Sequence, residues 1–283
     1  VAEACEGFTE VDEALVIQDT LNNLFDGIEE TDVNNALVMS ARTLIEKGPN
    51  YSYVAAGLLL DKMRQEALSF IEESMIQATH KEMGDRYPAY FKRYIQKGAE
   101  LGLLDHELEK YDLERLGKAL HVERDRQFTY LGLQTLYDRY FIHSDDIRFE
   151  LPQAFFMRVA MGLAINELDR EGRAIEFYEL LSSFDFMSST PTLFNSGTCR
   201  LQLSSCYLTT VPDDLDGIFS AIKDDALLSK FDGGLGNYWT PLRALVAHIK
   251  GTNGKSQGVV PFLKVANDTA VAVNQGGKRK GAM

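Results

Sequence analysis

The first two-thirds of the chain place apolar residues at the spacing of buried helical faces. Between residues 33 and 45 they recur every three or four positions, which predicts a helix capped by Asp32 and ended before Gly48. A second helix is predicted over roughly Tyr53 to Phe70. A third is predicted from Pro152, because proline is favoured in a first helical turn. The N-terminal region is therefore predicted to be mostly helical.

The pattern changes in the last third of the chain. From Ser188 to Gly197 it is rich in Ser, Thr, Pro, Asn and Gly, which is typical of a loop. Leu201 to Leu208 is interpreted as a strand whose alternation puts Ser204 and Cys206 on one face and Ser205 on the other. This change predicts that an α/β region begins near residue 190.

The α/β pattern continues along the remaining chain. Asp213 and Asp214 can cap a helix running from about Leu215 to Lys230. A glycine cluster at residues 233–236 is open to two interpretations, a tight turn or a backbone that approaches an anion. Gly251 to Gly254 predicts a further turn.

Composition narrows the function classes. The chain has 283 residues with a formal net charge of −13, which argues against binding nucleic acid through a broad basic face. No apolar run approaches the roughly 20 residues of a membrane span, so we expect no membrane association. The odd count of three cysteines argues for a reducing compartment, and we expect a cytoplasmic protein. Neither the histidines nor the cysteines show metal-ligand spacing, and no bound metal is expected.

Three features could contribute chemistry, and each has an ordinary alternative. Cys206 is either a buried thiol packed as a small apolar group or a redox thiol near a substrate, with Ser205 and Thr192 bonding an anion. The Gly-rich basic stretch 274–281 is either an anion-binding loop or a solvated surface loop. Arg243 and Lys250 are either phosphate ligands or surface charges.

Several motifs in one order resemble the large, catalytic subunits of ribonucleotide reductases. The resemblance runs through almost the whole chain, and several ordered motifs are more specific than any single one. The segments concerned are Glu123–Asp125, Phe128–Tyr130, Asp138–Phe141, Ser189–Thr198, Gln202–Cys206, Asn253–Phe262 and Asn274–Gly281.

The resemblance implies a fold and a domain order. It implies a mostly α N-terminal region followed by the first part of a ten-stranded α/β barrel, truncated at residue 283. Residues 1–70 would be part of an ATP-cone, residues 71–187 a helical domain and residues 188–283 the beginning of the barrel. The chain would be the N-terminal part of a longer subunit.

The resemblance also implies a reaction. Cys206 would be one of two thiols that reduce the ribose: a thiyl radical removes the 3′ hydrogen, the 2′ hydroxyl leaves as water and the dithiol becomes a disulfide. Thr192, Ser205 and Gly234 would line the substrate site with Cys206. The radical cysteine and the second reducing cysteine would lie after Met283, so we expect this chain alone to be inactive.

Two allosteric features follow from the same resemblance. Residues of an allosteric specificity site would bind ATP, dATP, dTTP or dGTP, and a specificity loop would carry effector identity to the substrate base. The specificity-site residues are Asp213, Asp214, Leu215, Arg243 and Lys250, and the loop residues are Gln275 and Arg279. In the cone, Glu30 and Gln65 replace a Thr and a Lys of related cones, so we expect no ATP or dATP to bind there.

Several partners are implied, and alternatives remain open. The implied partners are the C-terminal part of the subunit, a radical-generating small (beta) subunit, thioredoxin or glutaredoxin, ribonucleotide substrates and a second large subunit in a homodimer. The first alternative is a cobalamin-dependent ribonucleotide reductase, which makes its radical without a second protein. The others are a non-catalytic nucleotide-binding or assembly module and a purely structural helical protein.

Overall fold

The computed structural model describes residues 1–230 and 233–273. The chain forms two compact units. The first contains residues 1–188 and 193–201, and the second contains residues 189–192 together with the described residues from Gln202 onward. A division of the first unit into a cone segment and a helical domain stays a prediction.

The first unit is built almost entirely of helices. They are α1 Ala2–Cys5, α2 Glu13–Asn22, α3 Glu30–Thr43, α4 Tyr51–Glu72, α5 His80–Glu100, α6 Leu113–Lys118, α7 Tyr130–Arg139, α8 Pro152–Ala164 and α9 Arg170–Ser182. Single 3₁₀ turns lie at Leu44–Glu46, His106–Lys110 and Val122–Gln127, and β1 (His143–Ser144) pairs antiparallel with β2 (Ile147–Arg148). The short helix α10 (Thr190–Asn195) follows α9 along the chain.

The helices predicted for this unit are confirmed, with one cap corrected. α4 contains the predicted range, and α8 begins at Pro152. The helix predicted to be capped by Asp32 starts earlier, because Glu29 is its N-cap. Asp32 therefore lies in the first turn, where a carboxylate favours the helix dipole. The loop predicted over Ser188 to Gly197 is also corrected, since α10 lies within it.

Helix α8 forms the centre of the first unit's core. Its Phe155 and Phe156 rings are fully buried and meet edge to face with centroids 5.1 Å apart. Gly162, further along the helix, lies directly against the turn at Gly197: a Cβ added at residue 162 would be 2.0 Å from the Gly197 nitrogen. Glycine at position 162 therefore lets backbone pack against backbone.

A fully buried ion pair fixes the start of α8. Arg158 Nε donates to Glu150 Oε1 at 2.9 Å, and neither side chain is exposed. Arg158 Nη1 also donates to the carbonyl oxygens of Leu193 and Ser196, at 3.1 and 2.8 Å. One guanidinium thus joins a buried carboxylate to the chain segment after α10.

A second buried carboxylate has only neutral hydrogen-bond donors. Asp125 is 1% exposed and accepts hydrogen bonds from Gln153 Nε2 and from the Tyr87 hydroxyl, both at 2.7 Å. Burial disfavours its charged form and raises the pKa of Asp125 to about 6, although both hydrogen bonds oppose this shift. Asp125 therefore titrates in the folded state near pH 6.

This raised pKa makes a pH-dependent contribution to stability. The folded state holds a proton on Asp125 up to about pH 6, whereas the unfolded chain releases it near pH 4. The contribution is therefore fully present below about pH 4 and is lost as pH rises to 6, which lowers the free energy of unfolding by about 3 kcal/mol. Urea unfolding of the wild type and Asp125→Asn at pH 4.5 and 7 measures it. The variant should gain stability relative to the wild type with rising pH; an unchanged difference would contradict the assignment.

The second unit contains a parallel strand pair with a helical crossover. Its elements are β3 Cys206–Thr210, α11 Leu215–Ser229, β4 Gly234–Tyr238, β5 His248–Ile249, β6 Gly254–Lys255 and α12 Val260–Val273. β3 and β4 are parallel with Cys206 opposite Gly234, whereas β5 and β6 form an antiparallel hairpin. The order β3–α11–β4 is a βαβ unit, the usual connection between parallel strands.

Two predictions for this unit are corrected by the strand pairing. The strand predicted over Leu201 to Leu208 is observed at Cys206–Thr210, so Ser204 and Ser205 precede it. Its start coincides with its partner, because β4 begins at Gly234 opposite Cys206. The glycine cluster at 233–236 is mostly strand β4 rather than a turn. The predicted turn between residues 251 and 254 is confirmed, since it joins β5 to β6.

A small core joins the two helices of this unit. Ile218 and Ile222 of α11 are buried one turn apart, and Ala266 of α12 is buried with them. Trp239, Leu242 and Phe262 pack against this cluster and remain partly exposed. The helices therefore hold the N-terminus of α11 beside the segment that follows β4.

Candidate functional site

The first candidate site is the beginning of strand β3. Exposure alternates along the strand, and Cys206, Leu208 and Thr210 lie on its exposed face. The Cys206 thiol is free and exposed, and its sulfur lies 3.6 Å from the Ser205 hydroxyl. Of the two interpretations left open by the sequence, burial as a small apolar group is therefore wrong in this structure.

The residues predicted to line a substrate site lie close to this thiol along the chain. The Thr192 hydroxyl donates to the Leu203 carbonyl at 3.0 Å, which fixes it beside the segment leading into β3. The Gly234 N–H donates to the Ser205 carbonyl at 2.7 Å. Because that N–H is already bonded, Gly234 contributes space rather than a free donor: a Cβ there would lie 3.2 Å from the Ser205 oxygen.

A neighbouring glycine that sequence reasoning left without a role supports the same strand end. A Cβ on Gly233 would lie 3.0 Å from the Leu228 carbonyl oxygen and 3.1 Å from the ring of Tyr207. Tyr207 alternates with Cys206, so its ring lies on the opposite face of β3. The chain can enter β4 at this distance because residue 233 lacks a side chain.

The second candidate site lies at the N-terminus of α11. Asp214 is the N-cap and accepts a hydrogen bond from Gly217 N at 2.8 Å, as predicted. Asp213 does not cap the helix. Its carboxylate accepts from Arg243 Nε at 3.0 Å and from the Arg243 backbone N at 3.1 Å, and these bonds lower the pKa of Asp213 below its usual range.

Two adjoining cavities open beside this ion pair. One of about 260 Å³ is mainly apolar and includes Ile218, Leu242 and Phe262 in its lining. The other, of about 620 Å³, is more open and includes Lys250 in its lining. Both cavities are lined by Asp213, Asp214, Leu215, Arg243 and Ile249. The structure thus brings all five predicted specificity-site residues around one space.

Helix α12 supplies part of that lining and was not predicted. It contributes Phe262, while Thr252 and Ser256 come from the β5–β6 hairpin and the turn after it. The signal was present in the sequence, because Ala266 and Ala270 are buried four residues apart on α12. The same spacing that predicted the N-terminal helices would have found this one.

Some predicted residues fall outside what the structure describes. The specificity-loop residues Gln275 and Arg279 lie in the segment 274–283, outside the described residues. The side chain of Glu30 is also outside them. Gln65 is described, and its Oε1 accepts a hydrogen bond from Asn34 Nδ2 at 3.3 Å. The expectation that the cone segment binds no ATP or dATP stays a prediction.

Metal and membrane features are limited to what the described residues show. Within residues 1–230 and 233–273, no group of three or more His, Cys, Asp or Glu side chains is arranged to hold a metal ion. Over the same ranges no helix is long and apolar enough to cross a membrane.

Comparison with protein families decides the relationship. Residues 126–200 match the ribonucleotide reductase all-alpha domain, and residues 204–283 match the ribonucleotide reductase barrel domain. The chain belongs to the ribonucleotide reductase large-subunit family. The expected fold class, a mostly helical region followed by the start of the barrel domain, is therefore confirmed, with the described sheets small and open.

Related reductases match along nearly all of this chain. The ribonucleoside-diphosphate reductase subunit alpha of Chlamydia muridarum is 53% identical over 100% of the chain. That of Helicobacter pylori is 41% identical over 91%, and the large subunit of Plasmodium falciparum is 34% identical over 96%. The chain spans only 27 to 32% of the length of these relatives. Their names denote alpha or large subunits, so the cobalamin-dependent and non-catalytic alternatives gain no support.

Proposed function

We propose that this chain supplies part of the active site of a ribonucleoside-diphosphate reductase, which converts ribonucleotides to deoxyribonucleotides. The observation that carries the proposal is the position of Cys206. Its free thiol is exposed at the first residue of β3 and lies next to the Ser205 hydroxyl. It is also opposite a glycine that leaves room for a ligand.

In the proposed reaction Cys206 provides one of the two reducing thiols. The 2′ hydroxyl of the ribose leaves as water, and replacing it by hydrogen takes two electrons. Two thiols supply them and end as a disulfide, which thioredoxin or glutaredoxin reduces again. The second thiol and the radical cysteine come from sequence that the family places after Met283. We therefore propose that this chain alone is inactive.

The hydroxyl groups beside Cys206 suit a diphosphate. Ser205 and Thr192 can each donate one hydrogen bond to a phosphate oxygen. Thr192 now donates to the Leu203 carbonyl at 3.0 Å, so binding a phosphate through this proton requires its hydroxyl to rotate. The anchored backbone stays in place while the hydroxyl changes partner.

The cavity at the N-terminus of α11 suits a nucleotide effector. Arg243 and Lys250 can bind phosphates, Asp213 can accept a ribose hydroxyl, and the smaller cavity offers apolar walls to a base or sugar. We propose ATP, dATP, dTTP or dGTP as ligands, with Gln275 and Arg279 passing effector identity to the substrate base. Asp214 and Leu215 would contribute the helix end.

The family relationship also supports particular partners. Large subunits of this family work with a small subunit and dimerise, and we propose both for the protein that contains this chain. The small subunit would generate the radical, and the cytoplasm would supply the thiol reductants. Nucleic acid and membranes are not among the proposed partners.

Protection of Cys206 from alkylation tests the substrate-site proposal. In a large subunit that contains this chain, iodoacetamide should label Cys206, because its thiol is exposed. CDP at ten times its Kd should slow labelling about ten-fold, in proportion to the free fraction. Cys199, also exposed, is the internal control. Mass spectrometry of the labelled peptides gives both rates. Equal slowing of the two cysteines, or none, would argue against a substrate site at Cys206.

A further inference from the structure

The empty effector cavity holds its main cationic group in an internal ion pair. Arg243 Nε lies 3.0 Å from both carboxylate oxygens of Asp213, and Arg243 Nη2 donates to the Asp213 carbonyl at 3.1 Å. The backbone N of Arg243 donates to the same carboxylate at 3.1 Å. Residues thirty positions apart are thereby joined by four hydrogen bonds.

The second cation of the cavity is not engaged in this way. Lys250 lines the larger cavity and is exposed, and it forms no ion pair with any residue in the described part of the chain. An incoming phosphate can therefore meet Lys250 directly. It can gain the guanidinium of Arg243 only in competition with a carboxylate that is already bonded to it.

The outcome of that competition depends on what else the ligand carries. A bare phosphate chain that takes Arg243 leaves the Asp213 carboxylate without its donors and places two anionic groups side by side. A nucleotide has a sugar hydroxyl that can donate to the released carboxylate. Its apolar part can also enter the cavity lined by Ile218, Leu242 and Phe262.

We propose that Asp213 makes the effector site selective for sugar-bearing phosphates, because its ion pair with Arg243 excludes phosphate ligands that offer the carboxylate no hydroxyl in exchange. This inference rests on the proposed effector site and adds a specificity-determining role to one of its residues. Both side chains are about one-third exposed, so the pair can open at modest cost.

Binding of inorganic tripolyphosphate and of dTTP tests this inference by calorimetry. The protein is used as the full chain, at low and constant salt. In Asp213→Asn the affinity for tripolyphosphate should rise about two- to five-fold, the range expected when one partly exposed ion pair is removed. The preference for dTTP over tripolyphosphate should fall by at least that factor, since an amide accepts the sugar hydroxyl less strongly than a carboxylate.

Two further variants separate local from general effects. Asp216→Asn removes the same charge from an exposed position in the first turn of α11 and should change tripolyphosphate affinity less than Asp213→Asn does. In Asp213→Asn with Arg243→Gln the gain should disappear. Equal effects of the two aspartate substitutions would overturn the inference while leaving the effector site intact. Failure of the wild type to bind dTTP would overturn both.

Discussion

Serine at position 206 is expected to abolish ribonucleotide reduction. In a large subunit that contains this chain, assayed with its small subunit and a dithiol, Cys206→Ser should lower deoxynucleotide formation to about a thousandth of the wild-type rate or less. A hydroxyl cannot form the disulfide that stores the two electrons of the reaction. Serine is nearly isosteric, and Cys206 is exposed at a strand end, so the fold should be unaffected.

The matched control is the other exposed cysteine. Cys199 belongs to the first unit, where its sulfur donates to the Leu104 carbonyl at 3.3 Å. Cys199→Ser should retain dithiol-supported activity, because the hydroxyl can make the same hydrogen bond. Product formation by chromatography and effector binding by calorimetry should be measured on both variants. Activity that survives in Cys206→Ser would show that another thiol reduces the ribose.

Loss of Arg158 should cause the largest change in stability. Arg158→Met keeps an unbranched side chain but leaves Glu150 buried and without its cation, which costs about 3–5 kcal/mol. Glu150 would retain hydrogen bonds from the Tyr94 hydroxyl and from Ile142 N. The carbonyl groups of Leu193 and Ser196 would lose a donor. Urea unfolding and hydrogen exchange of the α8 amides should report the loss.

A surface arginine provides the comparison for that variant. Arg173 on α9 pairs with Glu176 at 2.5 Å, but both side chains are about half exposed. Arg173→Met should therefore change stability little, because water replaces the lost partner. Combining Arg158→Met with Glu150→Gln should recover part of the loss, since the uncompensated charge is removed. Equal costs for the two arginine substitutions would contradict the role given to the buried pair.

Sequence patterns predicted the parts of this protein that depend on near neighbours. The helices α4 and α8 and the cap at Asp214 follow from apolar spacing and from side chains that bond backbone three residues away. The ordered motifs were also sufficient to indicate the family and to bring Cys206 forward. Each of these signals lies within a short stretch of chain.

The features that make the sites depend on pairing over long separations. The start of β3 at Cys206 was misplaced, because the parallel partner that begins at Gly234 decides where the ladder begins. The bond between Asp213 and Arg243 joins residues thirty apart, and no local pattern distinguishes a helix cap from an ion-pair partner.

The sequence by itself determined which segments are helical and which family they belong to, since both follow from local spacing and ordered motifs. Only the tertiary structure decided that the Cys206 thiol is exposed, that Arg158 is buried against Glu150 and that Arg243 is held by Asp213. The physical reason is that exposure and ion pairing depend on which distant segments meet when the chain folds.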